Sequence, residues 1–176
     1  MYLCKDEYAI IKTSKQQMKK TLSILIALLC CISIYAKDSG IPQYELKCAG
    51  IGVEGTFLIE VSVFMSKPND NTEMNIRRAA VHGVLFKGVS ASDQCSGYRP
   101  IVSDKSVEAS HQSYFSTFFS NTGQAINYAE IIPGSLKIIK LAQKNYRITA
   151  VVTIKKDDLR KALEDEKVIE KMGDLF

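Results

Sequence analysis

The sequence predicts an α+β fold, in which an antiparallel sheet of four or five strands carries two main helices on one face and a C-terminal helix at an edge. Residues 56–65 and 146–154 are rich in β-branched side chains, as strands are. Between them, residues 72–87 change to the spacing of an amphipathic helix. The 176 residues are 46% hydrophobic and 24% charged, which suits one globular domain.

The strand at 56–65 is expected to lie at the centre of this sheet. Its apolar face should point at the core and comprises Phe57, Ile59, Val61, Val63 and Met65. Residues 44–49 alternate as well and predict a strand before it. The connection at 50–55 matches G-x-G-x-x-G, but a β-branched run follows where a dinucleotide site requires a helix. We interpret it as a glycine-rich turn or bulge between two antiparallel strands.

The helix at 72–87 is expected to pack closely on the sheet. Asp70 is the expected N-cap, with Glu73 completing a capping-box-like pair, and Gly88 is the expected stop. Small residues dominate the apolar stripe, which comprises Ile76, Ala79, Ala80, Gly83 and Val84.

The second half of the chain is expected to alternate between helix and strand. The predicted order is a helix from Ser103 or Asp104 to 121, strands at 125–132, 136–142 and 146–154, and a helix from about 156. The segment 136–142 also permits a helix; its shortness favours a strand. The first of these helices has an aromatic-rich stripe, which is more typical of a core than of a ligand cage: Val107, His111, Tyr114, Phe115 and Phe118.

The loop at 89–104 is the candidate ligand or partner site, since long loops often carry binding residues. Tyr98 and Arg99 are its candidate contacts, although an exposed Arg is more often simply solvated.

The N-terminal part predicts export. A basic start at 18–20, an apolar run at 21–35 and Ala36 have the three regions of a signal peptide. Only 16 uncharged residues separate Lys20 from Lys37, fewer than the roughly 20 that span a bilayer as a helix. We therefore expect cleavage of 18–36 and a single exported domain at 37–176, periplasmic or secreted. The alternative is retention as a membrane anchor.

Two further expectations concern the residues around this leader. We interpret residues 1–17 as a mis-assigned extension that precedes the true start at Met18. The alternative is that the signal peptide has an unusually long N-terminal region. Neither Cys30 nor Cys31 follows a small residue, so a lipid anchor is the less favoured outcome.

The basic charge is concentrated near the leader. The whole chain has a formal charge of +4, but residues 37–176 contain 18 basic and 17 acidic residues, a net of +1. The predicted domain thus lacks the electrostatic footprint of a nucleic-acid-binding protein.

Cysteine usage agrees with export. Cys48 and Cys95 remain after cleavage, and an even number in an oxidising compartment favours a disulfide over two separate thiols.

Catalytic motifs are absent from the sequence. His82 and His111 are the only histidines and stand at no metal-binding spacing. The sequence contains no H-E-x-x-H, G-x-S-x-G or C-x-x-C motif. We predict no catalytic, cofactor-binding or metal-binding residue, although paired carboxylates of the glycosidase kind stay open.

Four segments carry a resemblance to known proteins: the leader from Met18, and residues 44–50, 81–88 and 156–163. In these the chain resembles a family of small secreted proteins of unknown function from gut anaerobes. The similarity covers most of 44–176 and implies no assigned activity. The layout is also distantly similar to periplasmic modules of the flagellar-assembly lipoproteins FlgO and FlgT. That likeness implies an assembly or adaptor role, although this chain lacks their lipid-bearing cysteine.

The sequence thus favours a non-catalytic exported envelope protein that binds another envelope protein or stabilises an assembly. It predicts no nucleic-acid partner and no stable membrane span after cleavage. The alternative is a small secreted enzyme or ligand-binding protein that uses the 89–104 loop. A flat apolar patch would support the first hypothesis, and a deep polar pocket near Arg99 the second.

Overall fold

The sheet is built on two ten-residue strands, Thr56–Met65 and Tyr146–Lys155, which pair antiparallel along their full length. The computed structural model describes residues 40–93 and 95–171. The expectations for 1–17, for 18–36 and for Cys30 and Cys31 lie outside these residues.

Within the described part, strands and helices follow in the predicted order. The strands are β1 (Tyr44–Gly50), β2 (Thr56–Met65), β3 (Ala129–Ile131), β4 (Lys137–Lys140) and β5 (Tyr146–Lys155). The helices are α1 (Thr72–Phe86), α2 (Ser106–Ser110), α3 (Gln112–Phe118) and α4 (Lys156–Asp165), with short 3₁₀ helices at Gln124–Tyr128 and Ala142–Lys144.

The sheet is open and antiparallel, with the order β1–β2–β5–β3 and β4 also paired to β5. β3 pairs with the C-terminal end of β5 and β4 with its N-terminal end. Both short strands therefore share the outer edge of β5. The predicted α+β class with a C-terminal helix is confirmed.

One face of the sheet forms the core. Its fully or almost fully buried residues are Ile59, Val61 and Val63 of β2 and Ile148, Ala150, Val152 and Ile154 of β5. Phe57 and Met65 are partly buried at the two ends of the predicted apolar face. The alternation in β2 therefore predicted the core side correctly.

The connection between β1 and β2 is the glycine-rich turn that the sequence predicts. The pairing shifts register between Cys48 and Gly50, which marks a bulge. Gly55 has a φ of +77°, a conformation that side chains disfavour. The G-x-G-x-x-G motif thus has a structural explanation.

Helix α1 packs across the sheet with the predicted stripe buried. The predicted cap at Asp70 is wrong, because the helix begins after Asn71 without a side-chain cap. Asn69 instead makes the turn: its Oδ1 accepts from the Asn71 N–H at 3.1 Å, and its own N–H donates to Thr72 Oγ1 at 2.9 Å. Gly88 ends the helix as predicted, with its N–H bonded to the Gly83 carbonyl.

The predicted helix from Ser103 or Asp104 to 121 is instead two short helices with a break at His111. The first helix begins after Lys105, one residue later than the predicted start at Asp104. The Asp104 carboxylate accepts from the N–H and the hydroxyl of Ser106, which lowers its pKa. At the break, the side chains of Ser110 and His111 both reach the Val107 carbonyl, at 3.1 and 3.2 Å. Such local bonds compete with a regular helical ladder.

The predicted strand at 125–132 is largely wrong, because Gln124–Tyr128 is a 3₁₀ helix and only Ala129–Ile131 is strand. Ala129 already pairs with Ile154 near the end of β5, so earlier residues have no strand to pair with. The ambiguous segment at 136–142 contains β4, as predicted.

Gly83 is expected to be essential to the contact between α1 and β1. A Cβ at this position would overlap the side chain of Leu46 and crowd the ring of Tyr44. We expect G83A to lower the free energy of unfolding by about 1–3 kcal/mol, although Ala normally favours helix by about 1 kcal/mol. Urea unfolding measures this. Lys161→Ala, an exposed change on α4, is the control, and an unchanged or stabilised G83A protein would contradict the close packing.

Candidate functional site

The loop at 89–104 is covalently joined to the first strand. Cys48 at the end of β1 and Cys95 in the loop form a disulfide, with Cα atoms 5.8 Å apart. This is the pairing that the sequence predicts. Because Cys48 is buried in the core, the bond fixes the loop against the sheet.

Tyr98 is used within the fold. Its ring stacks on Phe57 with 4.0 Å between ring centroids, and its hydroxyl donates to the Gly50 carbonyl at 3.1 Å. Its backbone N–H and C=O both pair with Val89. The side chain predicted as a ligand contact therefore joins the loop to the glycine-rich turn.

Arg99 is exposed and makes no hydrogen bond or ion pair with the described residues. Just after it, the backbone N–H groups of Ile101 and Val102 donate to carbonyls at the end of α1, at 3.1 and 2.9 Å. The loop is thus held at both ends and in the middle. Among the described residues, Arg99 is therefore bonded to no other polar side chain.

Two surface depressions lie elsewhere, and neither is lined by Tyr98 or Arg99. The larger, of about 740 Å³, lies between α3, the turn after it and the end of α4. Tyr114 and Phe118 stack in it, while Asp165 and Glu166 border it. Burial, with a smaller contribution from Glu166, raises the pKa of Tyr114. The smaller, of about 290 Å³, follows β1 beside Lys87.

A partly buried row of three polar side chains links three elements of the fold. The Tyr44 hydroxyl lies 2.5 Å from His82 Nδ1, and His82 Nε2 lies 3.0 Å from Glu108 Oε1. Lys87 Nζ stands 3.9 Å from the centroid of the Tyr44 ring. Sequence reasoning missed this cluster because its members are far apart in the chain, on β1, α1 and α2.

Burial and charge determine which atoms of Tyr44 and His82 carry the protons of these two hydrogen bonds. Burial and the nearby Glu108 raise the pKa of Tyr44, so the phenol stays protonated and donates to His82 Nδ1. His82 Nε2–H then donates to Glu108. Burial outweighs the favourable carboxylate and lowers the pKa of His82, which keeps the imidazole neutral. These two contacts join β1, α1 and α2.

Exposed aliphatic side chains gather at two places. Ile51 and Val53, 90% and 75% exposed, stand at the turn between β1 and β2. The others, Ile132, Ile138, Ile139 and Leu141, follow the outer edge of β5. We call residues 132–141 the β4 edge. Its signal in the sequence was the run Lys137-Ile138-Ile139-Lys140, which marks an edge strand with lysines at its ends.

Residues 40–93 and 95–171 contain no group of three or more His, Cys, Asp or Glu side chains placed to hold a metal ion. In this part of the chain, no helix combines the length and the apolar character that crossing a membrane requires.

Comparison with known proteins adds no relative. The chain matches no protein family model, no curated protein and no solved structure. The resemblance to small secreted proteins and to FlgO and FlgT modules stays a prediction.

The disulfide should contribute substantially to stability. A bond between residues 47 apart in sequence removes roughly 4 kcal/mol of chain entropy from the unfolded state. We expect C48A/C95A to lower the urea midpoint accordingly and to open the 89–104 loop to proteolysis. The reduced wild-type protein is the matched comparison. Equal stability of the oxidised and reduced proteins would contradict this role.

Acid should destabilise the protein through His82. Its folded pKa lies below the unfolded value of about 6.5, so the unfolded chain takes up more protons as the pH falls through that value. The contribution of His82 to the free energy of unfolding is therefore full above pH ~6.5 and decreases as the pH falls below that value. We expect melting temperatures from pH 8 to 5 to fall less steeply in His82→Gln than in wild type. His111→Gln is the control, and parallel profiles for wild type and His82→Gln would exclude the effect.

Proposed function

We propose that this protein is an exported, non-catalytic adaptor that binds another protein of the cell envelope. The observation that carries the proposal is the β4 edge, where apolar side chains are exposed on a strand whose outer side has no pairing partner among the described residues. Ile138 and Ile139 are each about half exposed, and all four residues of β4 are exposed. An open sheet edge with exposed apolar side chains on both faces can pair with an extended segment of another protein.

A second apolar contact lies at the opposite end of the sheet. The turn that carries Ile51 and Val53 precedes Thr56, which pairs with Lys155, whereas β4 pairs near Tyr146. The ten residues of β5 place these two ends on the order of 30 Å apart. Two separated contacts favour an adaptor over a protein with one ligand.

Export is supported by the leader pattern and by the disulfide, since disulfides persist in oxidising compartments. The alternative, ligand binding by the 89–104 loop, has less support. Tyr98 is engaged in the fold, and Arg99 stands apart from both depressions.

Photo-crosslinking in cells tests the proposal. A photoreactive phenylalanine analogue at Ile139 should give a discrete crosslinked product with another envelope protein, and one at Val53 a second product. The same analogue at Lys161, exposed on α4, should give neither. Crosslinks at positions 139 and 53 that do not exceed those at 161 would contradict an adaptor role.

A further inference from the structure

We infer that the β4 edge binds an extended, acidic segment of the partner protein, which adds to the sheet as a further strand. The inference rests on the proposed function and specifies how the partner is held. It follows from three properties of Lys137–Lys140: its backbone, its apolar side chains and its charge.

The backbone of β4 is available for pairing on one side. Within the described residues, β4 pairs with β5 alone. None of its four residues makes any other hydrogen bond in that part of the chain. The N–H and C=O groups of its outer edge therefore face solvent, which is the template used in β-strand addition.

The apolar side chains lie where an added strand would cover them. Ile138 pairs with Ile148 and shares its core side of the sheet, whereas Ile139 pairs with Arg147 and shares the opposite side. An added strand would place side chains against both isoleucines, one on each face. Such a strand would bury apolar surface that is now half exposed.

Charge determines what kind of segment fits. No acidic residue lies between 131 and 156, a stretch that contains Lys137, Lys140, Lys144, Arg147, Lys155 and Lys156. Lys137 and Lys140 have no ion-pair partner among the described residues. A strand with acidic residues directly opposite these lysines would gain favourable cross-strand pairs.

The same lysines disfavour a second copy of this chain. If two β4 strands paired antiparallel with Ile138 against Ile139, Lys137 of each copy would face Lys140 of the other. Like charges placed directly opposite destabilise a sheet. An acidic partner segment is therefore the better occupant.

Binding of short peptides to the full-length exported protein tests the inference. The probe is a fluorescently labelled Thr-Glu-Val-Val-Glu-Thr peptide, whose symmetry sets a Glu against each lysine in either strand direction. We expect anisotropy to rise on binding, binding to weaken with salt, and β4 amides to become protected from hydrogen exchange. A peptide with Lys in place of Glu is the control and should bind at least tenfold more weakly.

A charge exchange makes the test specific. Both lysines are exposed, so K137E/K140E is expected to leave the melting temperature unchanged while reversing the preference toward the Lys peptide. K161E, a single reversal on α4, should keep the wild-type preference. Equal binding of both peptides, or an unchanged preference in K137E/K140E, would overturn the inference.

Other occupants give different results. Binding to phosphatidylglycerol vesicles but not to the Glu peptide would show that the occupant is a lipid surface. Self-association in sedimentation, without binding of the Glu peptide, would show that it is a second copy. Either result overturns the inference. Crosslinking at position 139 without peptide binding would leave the adaptor role standing and reject strand addition. Failure of both would reject both.

Discussion

The fold depends on the antiparallel pairing of β2 with β5. Ten residues of each strand pair without a register shift, so their core-facing side chains form one continuous apolar surface. A slip of one residue would put Ile59 and Val152, which are now paired on the core side, on opposite faces of the sheet. Helix α1 covers this surface, β1 extends it on one side, and β3 and β4 extend it on the other.

The sequence was most informative where a single local pattern determines the structure. β2 was predicted with its exact bounds, and α1 to within one residue, because alternation in the first and small-residue spacing in the second continue over ten or more residues. The prediction was wrong where the end of a strand distant in sequence determined the local structure. Residues 125–128 have strand-like composition, yet β5 ends too early to pair with them.

The candidate site shows the same division. The disulfide was predictable because the predicted exported domain at 37–176 contains two of the five cysteines, which allow one pairing. The hydrogen-bonded side chains of Tyr44, His82 and Glu108 were not predictable, because only the folded sheet and helices bring these residues together. Tyr98 was a candidate contact because it lies in a long loop, and the structure adds that its ring and hydroxyl hold this loop in place.

The two edges of the sheet differ in what lies against them. Near β1, the disulfide and a bond from the Cys48 N–H to the Ser90 carbonyl tie the 89–104 loop across the sheet. On the other side, β4 ends the sheet with exposed isoleucines. Lysines at both ends of that strand protect it from pairing with its own kind. Because only like charges repel, the same lysines would still permit the acidic strand that we propose, so one pair of residues could provide both protection and selectivity.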